Sequence, residues 1–452
     1  MSSIKKLAIR GAVWTIASYG TSQILRFGSN LILTRLLIPD VFGLMALVYV
    51  FISGLHLFSD IGIGTSIIQN KRGDDPVFLN TAWTMQVIRG VGLWICSLLI
   101  AWPVAAFYAK PNQGPILLLL LPIVGLNTLI SGFNSTALFK LNREIALGKL
   151  AIFELGGQIS SLIVIIVWAW LSPTVWAIVA GSLVSAVVQL VWSHRLIPEQ
   201  PNRFAWDKTA AKSIFSFGKW IFLSTVLTFL ALQSDRLILG KLLSLKMLGV
   251  YGIAFTLADI PRSIISALSN KVIFPIVSKI SDLPRETLRD KILKNRQPIL
   301  IFLAVSLTFL IAFGDRLIFL LYKPDYHAAA WMLPIIALGI WHTTLFSTMS
   351  PALLALGKSH YGAQGYLLSF LTISIGLPLA FSQMGMVGAM FVIAFYDLPL
   401  YGVSMYGLWR EGLSCLGQDL KATFLFLGLL GSVLLVRVTW GWGLPINQIL
   451  NH

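Results

Sequence analysis

Charge is scarce in this chain. Asp, Glu, Lys and Arg make up 12% of 452 residues, about half the share that a water-soluble protein carries. That excludes an ordinary cytosolic enzyme, a disordered chain and a coiled coil. Cysteine is scarcer still, with Cys96 and Cys415 alone, so neither a disulfide framework nor a cysteine metal cluster is available. The chain has no glycine-rich loop closing on Lys-Ser/Thr and no His-Glu-x-x-His, which excludes ATP hydrolysis by that route and zincin chemistry. No catalytic residue and no resident cofactor are expected. Acidic residues are few, 18 against 34 basic ones, for a net charge of +16. In a soluble chain that excess would suggest nucleic acid; in a membrane chain the positive-inside bias accounts for it.

Apolar sequence is abundant: 56% of residues are hydrophobic and the mean hydropathy is +0.81. The apolar runs are long and continuous rather than alternating, which argues for helices and against a β-barrel. Twelve spans at roughly 20 residues each would occupy about half the chain. They read as residues 11–37, 42–68, 81–107, 116–139, 149–171 and 174–194, then 214–240, 247–274, 298–322, 331–356, 361–381 and 385–409. A shorter run, 422–436, is either a thirteenth span or an interfacial hairpin. The expected organisation is a six-helix bundle over 1–197, a cytoplasmic linker over 198–213, a second six-helix bundle over 214–410 and a C-terminal segment over 411–452.

Lys5, Lys6 and Arg10 precede the first run, and no small-residue cleavage site follows. The segment therefore reads as a first span with its basic end in the cytoplasm. Lys and Arg on the loops of that side then outnumber those on the other about threefold. The two largest inner loops, 195–213 and 276–297, are the richest in basic residues; they set topology, with contact to anionic headgroups as the alternative.

A shift of 206 positions places Trp14 on Trp220, Arg35-Leu36-Leu37 on Lys241-Leu242-Leu243 and Gly43 on Gly249. Six spans per copy keep both copies in the same orientation, a parallel repeat of the kind that suits alternating access.

Ionisable groups within spans are costly and so are buried in protein or line water. Arg26, Asp60, Arg89, Asp259, Arg262 and Asp397 lie at or near mid-span, whereas Glu154, Asp235 and Arg236 lie close enough to span ends to snorkel or pair there. The 206-residue shift sets His56 on Arg262. Asp259-Ile260-Pro261 and Asp397-Leu398-Pro399 each carry a proline two residues after a carboxylate, a device that bends a helix beside a polar cavity. Arg26, Arg262, Arg89 and His56 are the candidate contacts for an anionic substrate, since a guanidinium offers a planar fork to phosphate oxygens. Asp60, Asp259 and Asp397 either couple to Na⁺ or H⁺ or hold the arginines in place. Asp259 and Arg262, three residues apart, are placed to neutralise each other, and His56 and His342 read first as packing histidines.

These pieces carry a family resemblance. The first half has Thr34-Arg35-Leu36-Leu37, Pro39-Asp40, Phe42-Gly43 and Phe58-Ser59-Asp60-Ile61-Gly62-Ile63-Gly64. The second has Ser234-Asp235-Arg236-Leu237, Gly240-Lys241-Leu242-Leu243, Leu248-Gly249-Val250-Tyr251 and Val272-Ile273-Phe274-Pro275. Over about residues 5 to 410 the chain resembles the polysaccharide biosynthesis exporters, the Wzx-type flippases of the multidrug/oligosaccharidyl-lipid/polysaccharide exporter superfamily. The resemblance implies an all-α polytopic membrane protein with two six-helix bundles in a V around a central cationic cavity. It implies transfer of undecaprenyl-pyrophosphate-linked saccharides, or related exopolysaccharide units, from the inner to the outer leaflet of a bacterial inner membrane. It further implies membrane lipids and glycan polymerase or export machinery as partners. The alternatives are a cation-coupled drug exporter of the same superfamily, which the paired arginines disfavour, and a non-transporting scaffold of a glycan-assembly complex.

Overall fold

The computed structural model describes all residues except 1, 60–61, 71, 109–113, 145, 198–200, 270–272 and 447–452. Among the described residues the regular elements are all helical, and the chain divides into two compact units, Met1–Val226 and Leu227–His452. The first holds α1 (Ser2–Leu36), α2 (Pro39–Phe58), α3 (Ile63–Gln69), α4 (Pro76–Phe107), α5 (Gly114–Gly132), α6 (Ala137–Arg143), α7 (Leu147–Leu171), α8 (Val175–Arg195) and the start of α9 (Lys208–Leu242). The second continues with α10 (Leu245–Ala258), α11 (Ile260–Leu268), α12 (Phe274–Lys279), α13 (Arg285–Leu321), α14 (Ala329–Ala355), α15 (His360–Phe395, broken at Gly385), α16 (Leu398–Arg410) and α17 (Leu416–Thr439). Nine of these stretches are long and apolar enough to cross a bilayer, or ten when α10 and α11 count as one bent span. α1 and α9 lie outside that set, and α15–α16 counts there as a single stretch that the left-handed Gly385 divides into the two expected runs.

The repeat is visible in the element order. α1 and α9 are each 35 residues long and begin 206 positions apart, as do α2 and α10. In the first unit α2 ends at Phe58 and α3 begins at Ile63; in the second the corresponding span is broken at Asp259, with a bend of 48°. A break within a span frees carbonyl oxygens that lipid cannot satisfy. In the first unit one arginine caps the end of α2 and another the end of α3. Arg89 of α4 donates to the His56 carbonyl (2.7 Å) and Ser59 Oγ (2.9 Å), and Arg143 of α6 donates to the carbonyls of Ile67 (3.0 Å) and Asn70 (2.6 Å). Each places a cation at a helix C-terminus, where the backbone dipole favours it. α4 and α5 approach closely at Gly90 and Gly132; a Cβ on Gly90 would sit 2.9 Å from Gly132 Cα.

Residues 201–207, inside the expected linker, lie as an extended strap on α4. The backbone N–H groups of Arg203, Ala205 and Asp207 donate to Asn80 Oδ1, Thr84 Oγ1 and Thr81 Oγ1 at 3.0–3.1 Å. Arg72 closes the strap's end by bonding Asp75 (2.8 Å) and Asp207 (3.1 Å). Hydrogen bonding by the Arg72 guanidinium, then by the Val77 backbone N–H, holds the Asp75 carboxyl below its ordinary range. The Thr209 backbone N–H and hydroxyl, then Arg72, do the same for Asp207. Because both folded values are depressed, their contribution is present above the ordinary carboxylate value of about 4 and disappears as pH falls through the lowered values. Amide exchange at Arg203, Ala205 and Asp207 is therefore expected to be slow at pH 7 and to lose its protection in acid below about pH 4. Asp207→Asn should accelerate it several-fold at pH 7; unchanged exchange in that variant would remove the latch.

In the second unit α14 is the hub. It is apolar on every side, and 89% of its most apolar stretch is buried, as expected of a helix hydrophobic all round. The hairpin reading of 422–436 fails: α17 is a continuous 24-residue helix clamped near both ends. At one end Arg296 of α13 pairs with Asp419, both 2% exposed. At the other, Arg437 forks onto Asp315 (2.8 and 2.5 Å) and also donates to the Gly443 carbonyl (2.8 Å). Arg296, read from sequence as an inner-loop charge, is buried because α13 starts at Arg285 and carries it inside as helix.

Candidate functional site

The predicted residues fall into separate settings within each unit. In the first, Arg89 and His56 come together. With Gln86, Thr128, Ser131 and Asn134 they line a pocket of about 350 Å³ among α2, α4, α5 and the α5–α6 turn. Asn134 Oδ1 in that lining is buried without a donor among the described residues, which marks a place for water or a ligand hydroxyl. Arg89 is committed to the end of α2, so here it acts as much on the fold as on any ligand. Arg26 is exposed on α1, with no ion pair to its side chain among the described residues. Ser22, one turn earlier on α1, bonds Gln158 of α7 (2.8 Å). Asp60 lies outside the described residues.

In the second unit the structure assembles a cluster that the sequence showed only in pieces. Asp259 ends α10 and Asp397 ends the α15 leg, and each is the N-cap position of the following helix, whose second residue is Pro261 or Pro399. The proline rule explains the break, and a carboxylate at the new helix start meets the positive end of its dipole. Arg262 pairs with Asp259, the two side chains 25% and 22% exposed, and sits in the field of Asp397 and of the Tyr396 phenol. Asp397 does not pair with an arginine: it bonds His342 of α14 and accepts from Thr343 Oγ1 (2.6 Å). His342 stacks on Phe395 at 5.9 Å.

Asp235 and Arg236 belong here too, and of the two alternatives, snorkelling or pairing near a span end, the structure has them held by partners inside the unit. α9 runs on to Leu242, leaving Asp235 two turns inside, 4% exposed, and accepting from Tyr251 Oη at 2.5 Å. Its Oδ1 has no donor among the described residues. Arg236 bonds Gln233 (2.8 Å), lies 5.0 Å over the Phe255 ring and feels Asp235 and Asp259. Glu154 is exposed on α7. Three carboxylates, Asp235, Asp259 and Asp397, thus face two guanidiniums, Arg236 and Arg262, with His342 beside the third carboxylate. Among the described residues no three His, Cys, Asp or Glu side chains come together as metal ligands.

The family described as "Polysaccharide biosynthesis protein" matches residues 32–330, a stretch that covers both α2–α3 and α10–α11. The chain belongs to that family. Among its curated relatives, the succinoglycan biosynthesis transport protein ExoT of Rhizobium meliloti (strain 1021) is 23% identical over 78% of this chain and 70% of its own. The teichuronic acid biosynthesis protein TuaB of Bacillus subtilis (strain 168) is 22% identical over 79% of this chain and 73% of its own. The lipopolysaccharide biosynthesis protein WzxC of Escherichia coli (strain K12) is 24% identical over 62% of this chain, which spans 56% of that relative. Among solved structures, the lipid II flippase MurJ in an inward closed conformation superposes with a TM-score of 0.74 at 14% identity, over 94% of this chain and 93% of that one. An inward-facing multidrug resistance transporter of the MATE family gives 0.69 at 14% identity, over 85% of this chain and 94% of that one. This member of the polysaccharide biosynthesis family therefore has the helical fold of those transporters and is a multi-pass membrane protein.

Proposed function

We propose that the chain moves a lipid-linked saccharide with a diphosphate head from the cytoplasmic to the outer leaflet of a bacterial inner membrane, its N-terminus cytoplasmic. The observation that carries this is the cluster around Asp259–Arg262 and Asp397–His342, ionisable groups held inside apolar helices of a polysaccharide biosynthesis protein. Arg262 offers its guanidinium to phosphate oxygens, and Arg26, exposed on α1, is a separate candidate for an anion contact. Arg89 and His56 supply a polar pocket for sugar hydroxyls. The relatives' names, succinoglycan transport and teichuronic acid biosynthesis, support this substrate class. No covalent step is part of the reading, and glycan polymerase or export machinery are its downstream partners.

Charge balance gives the coupling its form. Binding a diphosphate at Arg262 draws that arginine away from Asp259 and adds negative charge, so uptake of a proton or Na⁺ beside Asp397 or Asp259 accompanies binding. Asp60 is a further candidate for that role. The test is deletion of the gene, followed by analysis of lipid-linked saccharides by leaflet. Accumulation on the cytoplasmic leaflet is expected. Normal distribution together with normal surface polymer would overturn the function.

A further inference from the structure

Asp397 is held by hydrogen-bond donors on both of its oxygens. Oδ1 bonds Nε2 of His342, and Oδ2 accepts from Thr343 Oγ1 at 2.6 Å. The Thr343 hydroxyl also lies 3.0 Å from the Gly339 carbonyl. Its single hydrogen goes to the carboxylate, because an ionised acceptor makes the stronger bond. An ionised carboxylate only accepts, so Nε2 carries the ring hydrogen and the imidazole keeps its lone pair on Nδ1. A Na⁺ ion binds where oxygen lone pairs converge, whereas the groups on Asp397 point hydrogens at it. A proton has a place on the far side of the ring, at Nδ1, where it adds without breaking either hydrogen bond.

The surroundings suit an imidazolium. His342 and Asp397 are 6% and 7% exposed, and the ring lies nearly parallel to that of Phe395, an aromatic face that favours a cation over it. α14, which carries His342, packs on α10 to α13, α15 and α16. The α10–α11 break brings Asp259 and Arg262, and α15 with its end brings Tyr366, Tyr396 and Asp397. Asp235 and Arg236 of α9 act on the same group through Tyr396 and Asp259. From α13, Arg296 reaches α14 at Leu345 and Thr348, already paired with Asp419, and Tyr401 of α16 is bonded to that same carboxylate. α12 joins α14 at Met349, two turns from His342. Arg262 is the link to the anion site: it pairs with Asp259 and feels Asp397.

We propose that His342 is the group that takes up a proton when an anionic head binds at Arg262. The assignment rests on the export reading and names its coupling ion. A diphosphate beside Arg262 adds negative charge next to Asp397. A proton from water, added at Nδ1, turns the His342–Asp397 bond into an imidazolium–carboxylate pair and offsets part of that charge. The effect is mutual: a proton on His342 strengthens anion binding, and an anion at Arg262 strengthens proton binding. Histidine suits the role because its ring gains and loses charge within the physiological range.

The test measures proton uptake by calorimetry in two buffers of different ionisation enthalpy. It uses the full-length protein in lipid nanodiscs and farnesyl-diphosphoglucose as the probe, a diphosphate diester that does not itself titrate near neutrality. Wild type is expected to take up about one proton per probe bound, and its affinity to fall by up to about tenfold per pH unit, the limit for one linked proton. In His342→Gln, whose amide still donates to Asp397, uptake should drop to near zero and the affinity should no longer follow pH. Asp397→Asn is the second variant, read in the same way if the first melts early: uptake should fall there too, because the imidazolium loses its counter-ion. Uptake that persists in both variants would overturn the assignment and leave the export reading standing. So would uptake that disappears in Asp259→Asn but persists in His342→Gln, or an affinity that follows Na⁺ instead of pH. Failure of the wild type to bind the probe would instead overturn the export reading itself.

Discussion

Arg296→Ala is expected to lower the melting temperature of the purified protein by about 10 °C and to expose Cys415 to thiol reagents. The side chain is 2% exposed, and every group around it is arranged for a cation. Its Nε donates to Thr348 Oγ1 (2.7 Å), its other nitrogens reach the Leu345 carbonyl (3.2 Å) and Gln418 Oε1 (3.3 Å), and its ion partner Asp419 also accepts from Tyr401 Oη (2.8 Å). Alanine leaves the Asp419 carboxylate buried with neutral donors alone, Tyr401 Oη and the weak Cys415 thiol (3.8 Å). Breaking a buried pair in this way costs roughly 3–5 kcal/mol, a large share of the ~5–15 kcal/mol that holds a domain together. In a unit of this size each kcal/mol shifts the transition by about 2–4 °C. Cys415 is 1% exposed, one turn before Asp419 at the start of α17, so loosening of that helix uncovers it. Removing both charges with Arg296→Met and Asp419→Leu should recover most of the stability, since an apolar replacement of a buried pair is often neutral. A melting temperature unchanged in Arg296→Ala would show that the pair does not hold α17.

The contrast between what the sequence displayed and what it concealed follows from range. Helical spans, the 206-residue repeat and the breaks at Asp259 and Asp397 were all legible, because hydropathy, repetition and the proline rule act within one helix or one fixed offset. The Asp259–Arg262 pair was legible as one of two alternatives for the same reason: its members share a helical turn. The partners of Asp397, Asp235 and Arg296 were not. His342 is 55 residues from Asp397, Tyr251 is 16 from Asp235 across a turn, and Asp419 is 123 from Arg296. No periodicity connects such positions, and only packing of α14 against α15–α16, or of α13 against α17, creates the contact. Arg296 misled for a further reason. A basic residue ahead of an apolar run signals a loop, and the sequence carries no sign that α13 begins 11 residues earlier, at Arg285.

Arg262→Ala is expected to reduce export at least 10-fold at matched protein level, and Arg262→Lys to restore only part of it. Losing a charge-assisted hydrogen bond costs about 1.5–3 kcal/mol, or roughly 10- to 150-fold, and an ammonium replaces the charge but not the planar fork. A loss of this size would also arise if Arg262 merely neutralised Asp259, because alanine would strand that carboxylate within the bundle. The double variant Asp259→Ala/Arg262→Ala separates the two roles. If the pair is only structural, removing both charges relieves the stranded carboxylate and export returns towards the wild-type level. If the guanidinium meets the diphosphate, export stays low although the melting temperature recovers. The second outcome is expected, because both side chains are about a quarter exposed rather than sealed, whereas the α17 clamp Arg296–Asp419 is 2% exposed on each side. A cell with sinking surface polymer in Arg262→Ala but normal polymer in the double variant would place Arg262 in the scaffold and remove it from the path of the substrate.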